Sequence, residues 1–499
     1  MERSTKRGVI GCMEGVVLEE KNAVEWVYRG EGAANVVLGY NGSSPTFVGK
    51  VLRIQKTPRR KSQSTAAASV LSTRETILWK DCKEIVSSTS KETVGQLYVL
   101  NVMLPLLGSD HVEAGIHVLV SREFLEAVEN NILCQRPAWR VDAAKVNILC
   151  DSALIISDHS IFSHEGYGAK HFISIIDIAS PYHHRKHLHI SRNKDQPKCG
   201  FLPSSRFINE ENAIKKSVSR FRMHQFLKLR QGEIAQVSRY NPLDLFSGSS
   251  DRIHKAVKAL FTTPQNNFRI FLNGSLIFGG LGGGADSSNS MVGEALEDLL
   301  RDVIRAEHGM RLPSFLQLVA ETVFRSRVLD QLLEAQKLDS LDIEGAIHAY
   351  YNIVSQPCMI CKDLNSSELS QRYSSLHSLS LEESLKIVKN YLIAATAKDC
   401  SLMISFRPKK SGGSESPYSN IKLDSTGQTF DYKAYFIDLD MKSLKKMVQY
   451  YELDQKILSC YAEMDLVECG PSETCQDLFP TAVPDTSCFS KGAVSIELK

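Results

Sequence analysis

Alternation of apolar and polar positions over residues 14–55 predicts a strand, a turn and a second strand. The first run, Trp26-Val27-Tyr28, passes through the small-residue segment Arg29-Gly30-Glu31-Gly32-Ala33-Ala34-Asn35 into Val36-Val37-Leu38-Gly39-Tyr40. The second follows the turn Gly42-Ser43-Ser44-Pro45 as Phe47-Val48-Gly49-Lys50-Val51-Leu52-Arg53-Ile54. Helical spacing then covers 73–86 and 92–106, and Gly115-Ile116-His117-Val118-Leu119-Val120 reads as a strand before a helix from Glu123. Trp139-Arg140-Val141 and the stretch from Ala153 to His159 read as further strand and connector.

The pattern changes after residue 204. Residues 204–240 read as helical, Ile270-Phe271-Leu272 as a strand, and 291–336 as two long amphipathic helices with Ala295, Leu296, Leu299, Leu300, Val303 and Ile304 on the core face. A further helix near 342–353 carries His348. Strands at Leu402–Phe406 and Phe430–Asp438 flank a polar loop, and a helix is predicted from about Lys442. The run Gly279–Gly284 lacks a Gly-Lys-Ser ending and leads into Ala285-Asp286-Ser287-Ser288-Asn289, so it reads as a linker and not a phosphate loop. The fold class is α/β (α+β).

Composition narrows the function classes. A formal net charge of +2 over 499 residues excludes a global polycation, so an anionic partner must be met by local clusters of Lys and Arg. No apolar run approaches the roughly 18 residues that span a bilayer. The twelve cysteines are mostly single, which fits a reducing, intracellular compartment, cytoplasmic or nuclear. Met13 could serve as an alternative start, because pattern begins only near Val16.

Several short features carry chemistry, and each has a plainer reading. The Gly-rich turn can lay backbone N–H groups over phosphates with Lys50 and Arg53 beside it, or it can simply close a hairpin. Arg220, His224 and Lys228 recur at i, i+4, i+8, as do Lys442, Lys446 and Tyr450; each stripe is either a polyanion contact or a solvated face. Asn266 and Asn267 can present amides to a phosphate or sugar hydroxyl, or form a turn. Asp438, ending an apolar strand, suits a Mg²⁺ ligand or a helix N-cap. Pro197 and Pro203 stiffen the segment holding Lys198, and Gly200 between them permits unusual backbone angles, which either positions one cation or makes a rigid interlobe turn with a solvated lysine. With Asp399, the set suggests phosphoryl transfer onto a polyanion, a reaction that needs in-line positioning and charge neutralisation more than covalent help. A second set has zinc-type spacing: His348, Cys358, Cys361 and His377 follow His-x9-Cys-x2-Cys-x15-His, and the plainer reading is core cysteines with surface histidines. Four such ligands close a tetrahedral shell, so the ion would be structural; no basic recognition helix follows to suggest a nucleic-acid finger.

The chain resembles the plant inositol-pentakisphosphate 2-kinases from about Met13 to Leu458. The resemblance is carried by Tyr28–Asn35, Phe47–Val51, Gln135-Arg136-Pro137, Pro197–Pro203, Asn241–Gly248, Thr263–Arg269 and Leu341–His348. It implies a two-lobed, distantly kinase-like fold with ATP, Mg²⁺ and a structural Zn²⁺ in the larger C-terminal lobe. It implies phosphorylation of the 2-hydroxyl of inositol pentakisphosphate to give phytate by a monomer with no nucleic-acid or membrane partner. Carried over by position, Gly32, Ala33, Ala34, Asn35, Arg53, Ser157, Asp158, His159 and Arg269 resemble ATP contacts, and Asp438 the metal-linked carboxylate. Arg140, Lys198, Lys228, Asn266, Lys442, Lys446 and Tyr450 resemble the inositol-phosphate cage, with Arg220, His224 and Asn267 as additions. Asp399 resembles the group on the 2-hydroxyl, and Lys198 and Asp438 join it as catalytic candidates. The implied organisation is an extension (1–12), a nucleotide lobe (13–180), an interlobe segment (181–203), a substrate lobe (204–465) and a tail (466–499).

Two departures stand out. Lys446 occupies a position where the family usually has Arg, keeping the charge but losing bidentate geometry. The family's Glu-x-Lys-Pro-Lys reads Lys194-Asp195-Gln196-Pro197-Lys198 here, and the histidine-rich stretch from Tyr182 to Asp195 reads as an inserted or misjoined piece. Gln196 lacks an ammonium for the transferring phosphoryl, so a catalytically impaired inositol-phosphate-binding protein is the alternative expectation.

Overall fold

The structure, a computed structural model, describes residues 12–32, 34–59, 70–162, 172–176, 199–265, 267–279, 289–362, 367–409 and 416–468. Among these residues the chain is a mixed α/β protein built on two sheets. The first contains β1 (Cys12–Leu18), β2 (Trp26–Glu31), β3 (Asn35–Tyr40), β4 (Lys50–Pro58), β5 (Ile116–Val120), β6 (Ala144–Val146) and β7 (Ser152–Ser157), in the order β1-β5-β7-β4-β3-β2 with β6 on β4. Alternation sends Val36, Leu38, Leu52, Ile54, Val118 and Ile155 to one face. Phe124, Leu125, Val128 and Ile132 of the helix Arg122–Ile132 cover that face, and their helical spacing builds a single apolar stripe.

Lys56 continues the buried face of β4, where an apolar residue would be expected. Its ammonium is bonded to Glu31, and Arg136 clamps the same carboxylate through Nε at 2.9 Å and Nη2 at 3.1 Å. Arg136 also reaches Glu129 at 3.2 Å and the Ala144 carbonyl at 2.8 Å, and its side chain is wholly buried. Burial would raise the Glu31 carboxyl, but Arg136 and Lys56 hold it below the ordinary value. Arg136→Ala is therefore expected to destabilise the fold by about 3–5 kcal/mol, because it strands one of the buried charges. The denaturant midpoint measures this, and a shift below about 1 kcal/mol would contradict it.

The second sheet orders β8 (Ile173–Ile176), β9 (Arg269–Leu272), β10 (Ser275–Phe278), β11 (Ser401–Pro408), β12 (Ser419–Leu423) and β13 (Gln428–Ile437) as β10-β9-β8-β11-β13-β12. β11 is buried on both faces from Ser401 to Phe406, which explains its near-continuous apolar run. The larger core gathers here, and Leu78, Leu97, Tyr98 and Met103 join it, although they precede β5 in sequence. Thus β8 and the helical region before β5 pack with the second sheet. The two sheets are tied together by Arg29 Nη1 on the Gly274 carbonyl (3.2 Å), Ser405 Oγ on the His159 carbonyl (2.6 Å) and Arg53 on Asp440 (2.9 Å).

Several elements differ from expectation. Trp139–Val141 lie in a helix, Ala138–Ala143, because Pro137 starts it and its carbonyl accepts from Arg140 and Val141 N–H. Phe47–Gly49 form a turn, and β4 begins only at Lys50. Of 204–240, a 3-10 segment Glu210–Lys216 and the helix Arg220–Arg230 are helical. The pair of helices expected over 291–336 is three: Asn289–Leu299, Arg311–Ser326 and Val328–Lys337. Gly200 does not adopt a left-handed φ; a Cβ there would sit 2.4 Å from the Phe246 ring, so glycine serves close approach instead.

Candidate active site

The Gly-rich turn joins β2 to β3. Gly32 N–H donates to Asn35 O at 2.8 Å, and Lys56 N–H donates to Ala34 O at 2.7 Å. The Gly32 carbonyl accepts from Lys56 Nζ (2.5 Å) and from Arg140 Nη1 (3.2 Å), whose guanidinium lies 4.1 Å over the Trp139 ring. The buried ion cluster thereby holds the turn through the Gly32 carbonyl. Ala33 lies outside the described residues.

A second group forms at the end of β7. Lys50 Nζ donates to Ser157 Oγ at 2.9 Å, while Ser157 N–H and Oγ both reach Glu113 at 3.1 Å. Asp158 accepts from the Ser160 N–H at 2.9 Å and so shapes the turn with its own side chain. His159 stacks on Tyr435 with centroids 3.8 Å apart, and its Nε2 lies 3.4 Å from Glu113. Burial, then Lys433 and Lys50, push the imidazole down to about 3. In the unfolded chain the ring takes its proton near 6.5, so the folded state binds fewer protons below that pH. The contribution of His159 to stability is therefore complete above about 6.5 and is lost as pH falls towards 3. An NMR titration should show the His159 ring neutral down to about pH 5; a protonation step near the ordinary value would refute this.

The third group sits where the second sheet meets the helix Leu381–Asp399. Asp399 ends that helix, and Lys442 Nζ is bonded to its carboxylate. Burial would lower the Lys442 ammonium, but Asp399 and then Tyr450 raise it above its ordinary value, so it stays charged. Burial pushes the Tyr450 hydroxyl up to about 12, keeping it a neutral donor. Asp438 follows β13 in the left-handed region at φ 61°, which turns the chain at the strand end. It is not a helix N-cap. Ser443 takes that role by accepting from Lys445 N–H, so Lys442 precedes the helical segments Leu444–Lys446 and Met447–Glu468. The expected stripe of Lys442, Lys446 and Tyr450 is thus a turn, a 3-10 residue and a helical residue, not one helix face. Arg269 opens β9 opposite Ile176 of β8 and is buried.

Arg220, His224 and Lys228 do share the helix Arg220–Arg230, capped by Ser219. The stripe is not a solvated face: His224 is buried, and Arg220 and Lys228 are half-buried. Arg220 is bonded to Asp454, and Lys215 Nζ binds Asp342, Glu344 (3.1 Å) and Asp454 (2.8 Å) together. Those three carboxylates could group around a metal, but the ammonium already stands among them. Lys398 pairs with buried Asp339 at 2.7 Å, and Gln336 links the Gly200 N–H to the Ala397 carbonyl. Lys198, Asn266 and the Lys194-Asp195-Gln196 departure lie outside the described residues; Asn267 is buried, its amide 3.3 Å from Gln265.

A family profile described as inositol-pentakisphosphate 2-kinase matches residues 28–456. The chain belongs to the inositol-pentakisphosphate 2-kinase family. It is 53% identical over 449 residues to the inositol-pentakisphosphate 2-kinase of Arabidopsis thaliana, covering 89% of this chain and 95% of that one. The rice (Oryza sativa subsp. indica) protein of the same description is 51% identical over 92% of this chain and 98% of its own. That of Danio rerio is 28% identical over 89% and 94%. These likenesses do not favour the impaired alternative.

In this family member the zinc-type residues converge. His348 lies on the helix Asp342–Val354, Cys361 on Met359–Lys362 and His377 at the end of Ser367–His377, with Cys358 just before Met359. His348 Nδ1 is 3.2 Å from His377 Nε2, 3.4 Å from Cys358 Sγ and 3.6 Å from Cys361 Sγ; Cys361 Sγ is 3.1 Å from His377 Nε2. A tetrahedral ion with Zn–S and Zn–N bonds of ordinary length has ligand edges of about 3.3–3.8 Å. The donor set and spacing therefore fit a metal ion. Burial and His377 push His348 down to about 3, the neutral form a ligand needs.

Proposed function

We propose that the protein transfers the γ-phosphoryl of ATP to the 2-hydroxyl of inositol 1,3,4,5,6-pentakisphosphate, giving inositol hexakisphosphate. The observation that supports this best is the grouping of Asp399, Lys442 and Tyr450 beside the strand-end Asp438, in a chain whose relatives carry that activity in their names. Asp399 accepts the hydroxyl proton or orients the nucleophilic oxygen. Lys442 holds that carboxylate in place and, with Arg220, Lys228 and Lys446, neutralises substrate phosphates, while His224 adds a polar contact. Tyr450 donates a hydrogen bond without adding charge.

On the nucleotide side, the turn from Gly32 to Asn35 lies along the ATP phosphates, and Ser157, Asp158 and His159 contact the nucleotide. Arg53 and Arg269 add charge near the transferring group. Asp438 offers the hard oxygen donor that Mg²⁺ requires, and the ion would draw charge from the phosphates. The family's two-lobed kinase-like arrangement follows if the first sheet holds ATP and the second holds the inositol phosphate. His348, Cys358, Cys361 and His377 would hold a zinc ion that braces the second lobe. Among the described residues no helix is long and apolar enough to cross a membrane.

Incubation with ATP, Mg²⁺ and inositol pentakisphosphate tests the reading by anion-exchange chromatography of the product. Inositol hexakisphosphate is expected; none at high enzyme concentration would overturn it.

A further inference from the structure

Asp440 has no part in the reading above, yet it stands between the two sheets. It follows Asp438 by two residues and precedes Lys442 by two. Its main chain is fixed from the larger core: Thr396 Oγ1, in the helix that ends at Asp399, donates to the Asp440 carbonyl at 3.2 Å. Tyr98 OH donates to the same Thr396 oxygen at 3.1 Å, and both residues are fully buried. The Asp440 carboxylate, in contrast, reaches the first sheet. Its Oδ1 accepts from Arg53 Nη2 at 2.9 Å, across 387 positions of sequence. Arg53 lies inside that sheet, on β4 opposite Val37 of β3 and Leu154 of β7.

We propose that Asp440 is a positioning residue for the transfer: it holds the Arg53 guanidinium beside the strand end that carries Asp438. The inference rests on the kinase reading, because that reading places Arg53 against ATP phosphate. Arginine has several rotatable bonds, and a guanidinium waiting in solvent must be ordered each time ATP binds. A carboxylate whose main chain is anchored through Thr396 and Tyr98 removes part of that cost and helps fix the planar fork in one orientation. It also joins the nucleotide side to the turn bearing Lys442, so ATP would be gripped best when both sheets are engaged. The carboxylate is half exposed, at 52%, so its effect is modest and falls with salt.

The test is a double-mutant cycle on the full chain with Arg53→Ala, Asp440→Ala, the double variant and Asp440→Asn. ATP KM, inositol pentakisphosphate KM, kcat and Mg²⁺ dependence are measured, with melting temperature as the folding control. Asp440→Ala is expected to raise the ATP KM about fivefold, with a smaller effect on the inositol-phosphate KM. The double variant should be no worse than Arg53→Ala, because Asp440 acts through Arg53. Asp440→Asn keeps an acceptor and should recover part of the loss. Additive effects, an unchanged ATP KM, or a defect that high Mg²⁺ alone repairs would overturn the proposal, the last by making Asp440 a metal ligand. If the wild-type chain forms no product, the kinase reading fails; the Arg53–Asp440 linkage is then read from the same cycle in ATP-binding calorimetry, where additivity overturns it.

Discussion

Asp399→Asn is expected to lower turnover by about 10²–10⁴-fold while inositol pentakisphosphate binding is kept or strengthened. The argument begins with charge. A substrate with five phosphates is strongly anionic, and a carboxylate inside its cage repels it, so Asp399 is a poor choice for affinity alone. On the proposed function, its place there serves chemistry at the hydroxyl. Lys442 is bonded to it and raised above its ordinary value by it, so the ammonium stays charged and holds the carboxylate in place. Asparagine preserves the shape and can still accept from Lys442, but it cannot take the proton. It also leaves the ammonium freer to meet a phosphate. Turnover assays and calorimetry on the same variant check both halves. Turnover within about tenfold of wild type would assign Asp399 to structure alone, and a large loss of binding would make it a substrate anchor.

The parts of this site that the sequence makes legible are those whose information is local. Strand alternation around Gly32, the strand-end position of Asp438 and the helical spacing of Arg220, His224 and Lys228 all survive in the structure. The cysteine and histidine spacing does too, since Cys358 and Cys361 lie within one turn and His348 and His377 end or line helices that pack together. Illegible are the partners that hold these groups. Lys215 meets Asp342, Glu344 and Asp454 across 127 to 239 positions, and no local pattern distinguishes it from a solvated lysine. Asp440 and Thr396 are equally silent, because their roles depend on how two sheets face each other. Local errors had local causes as well. Trp139 and Val141 favour strands by residue type, but Pro137 sets a helical start that overrides them. Lys442 looked helical by spacing, although Asp438 in the left-handed region and the Ser443 cap delay the helix.

The second large effect is expected from the metal. Protein purified without chelator should carry one zinc per chain, and removing the ion or changing Cys361→Ala should lower the melting temperature by about 10 °C. The four donor atoms lie close enough to repel or compete for protons without an ion, and burial pushes the Cys361 thiol up to about 12. A cation reverses that balance by binding the thiolate form, so its binding free energy becomes stability of the folded chain. The location decides how far the effect spreads. His348 sits in the core of the helix Asp342–Val354, whose first residues bind Lys215. Lys215 and Arg220 share Asp454, so a bound ion would brace the wall from which the cationic stripe projects. A shell closed by four protein ligands leaves no position for a substrate oxygen, so the loss should appear as stability and substrate KM more than as kcat. Cys134→Ala, at an exposed free cysteine, serves as the control and should not move the melting temperature. Protein without zinc and with an unchanged melting temperature in chelator would refute the structural ion. Zinc that is lost together with kcat, at constant stability, would place it in the chemistry instead.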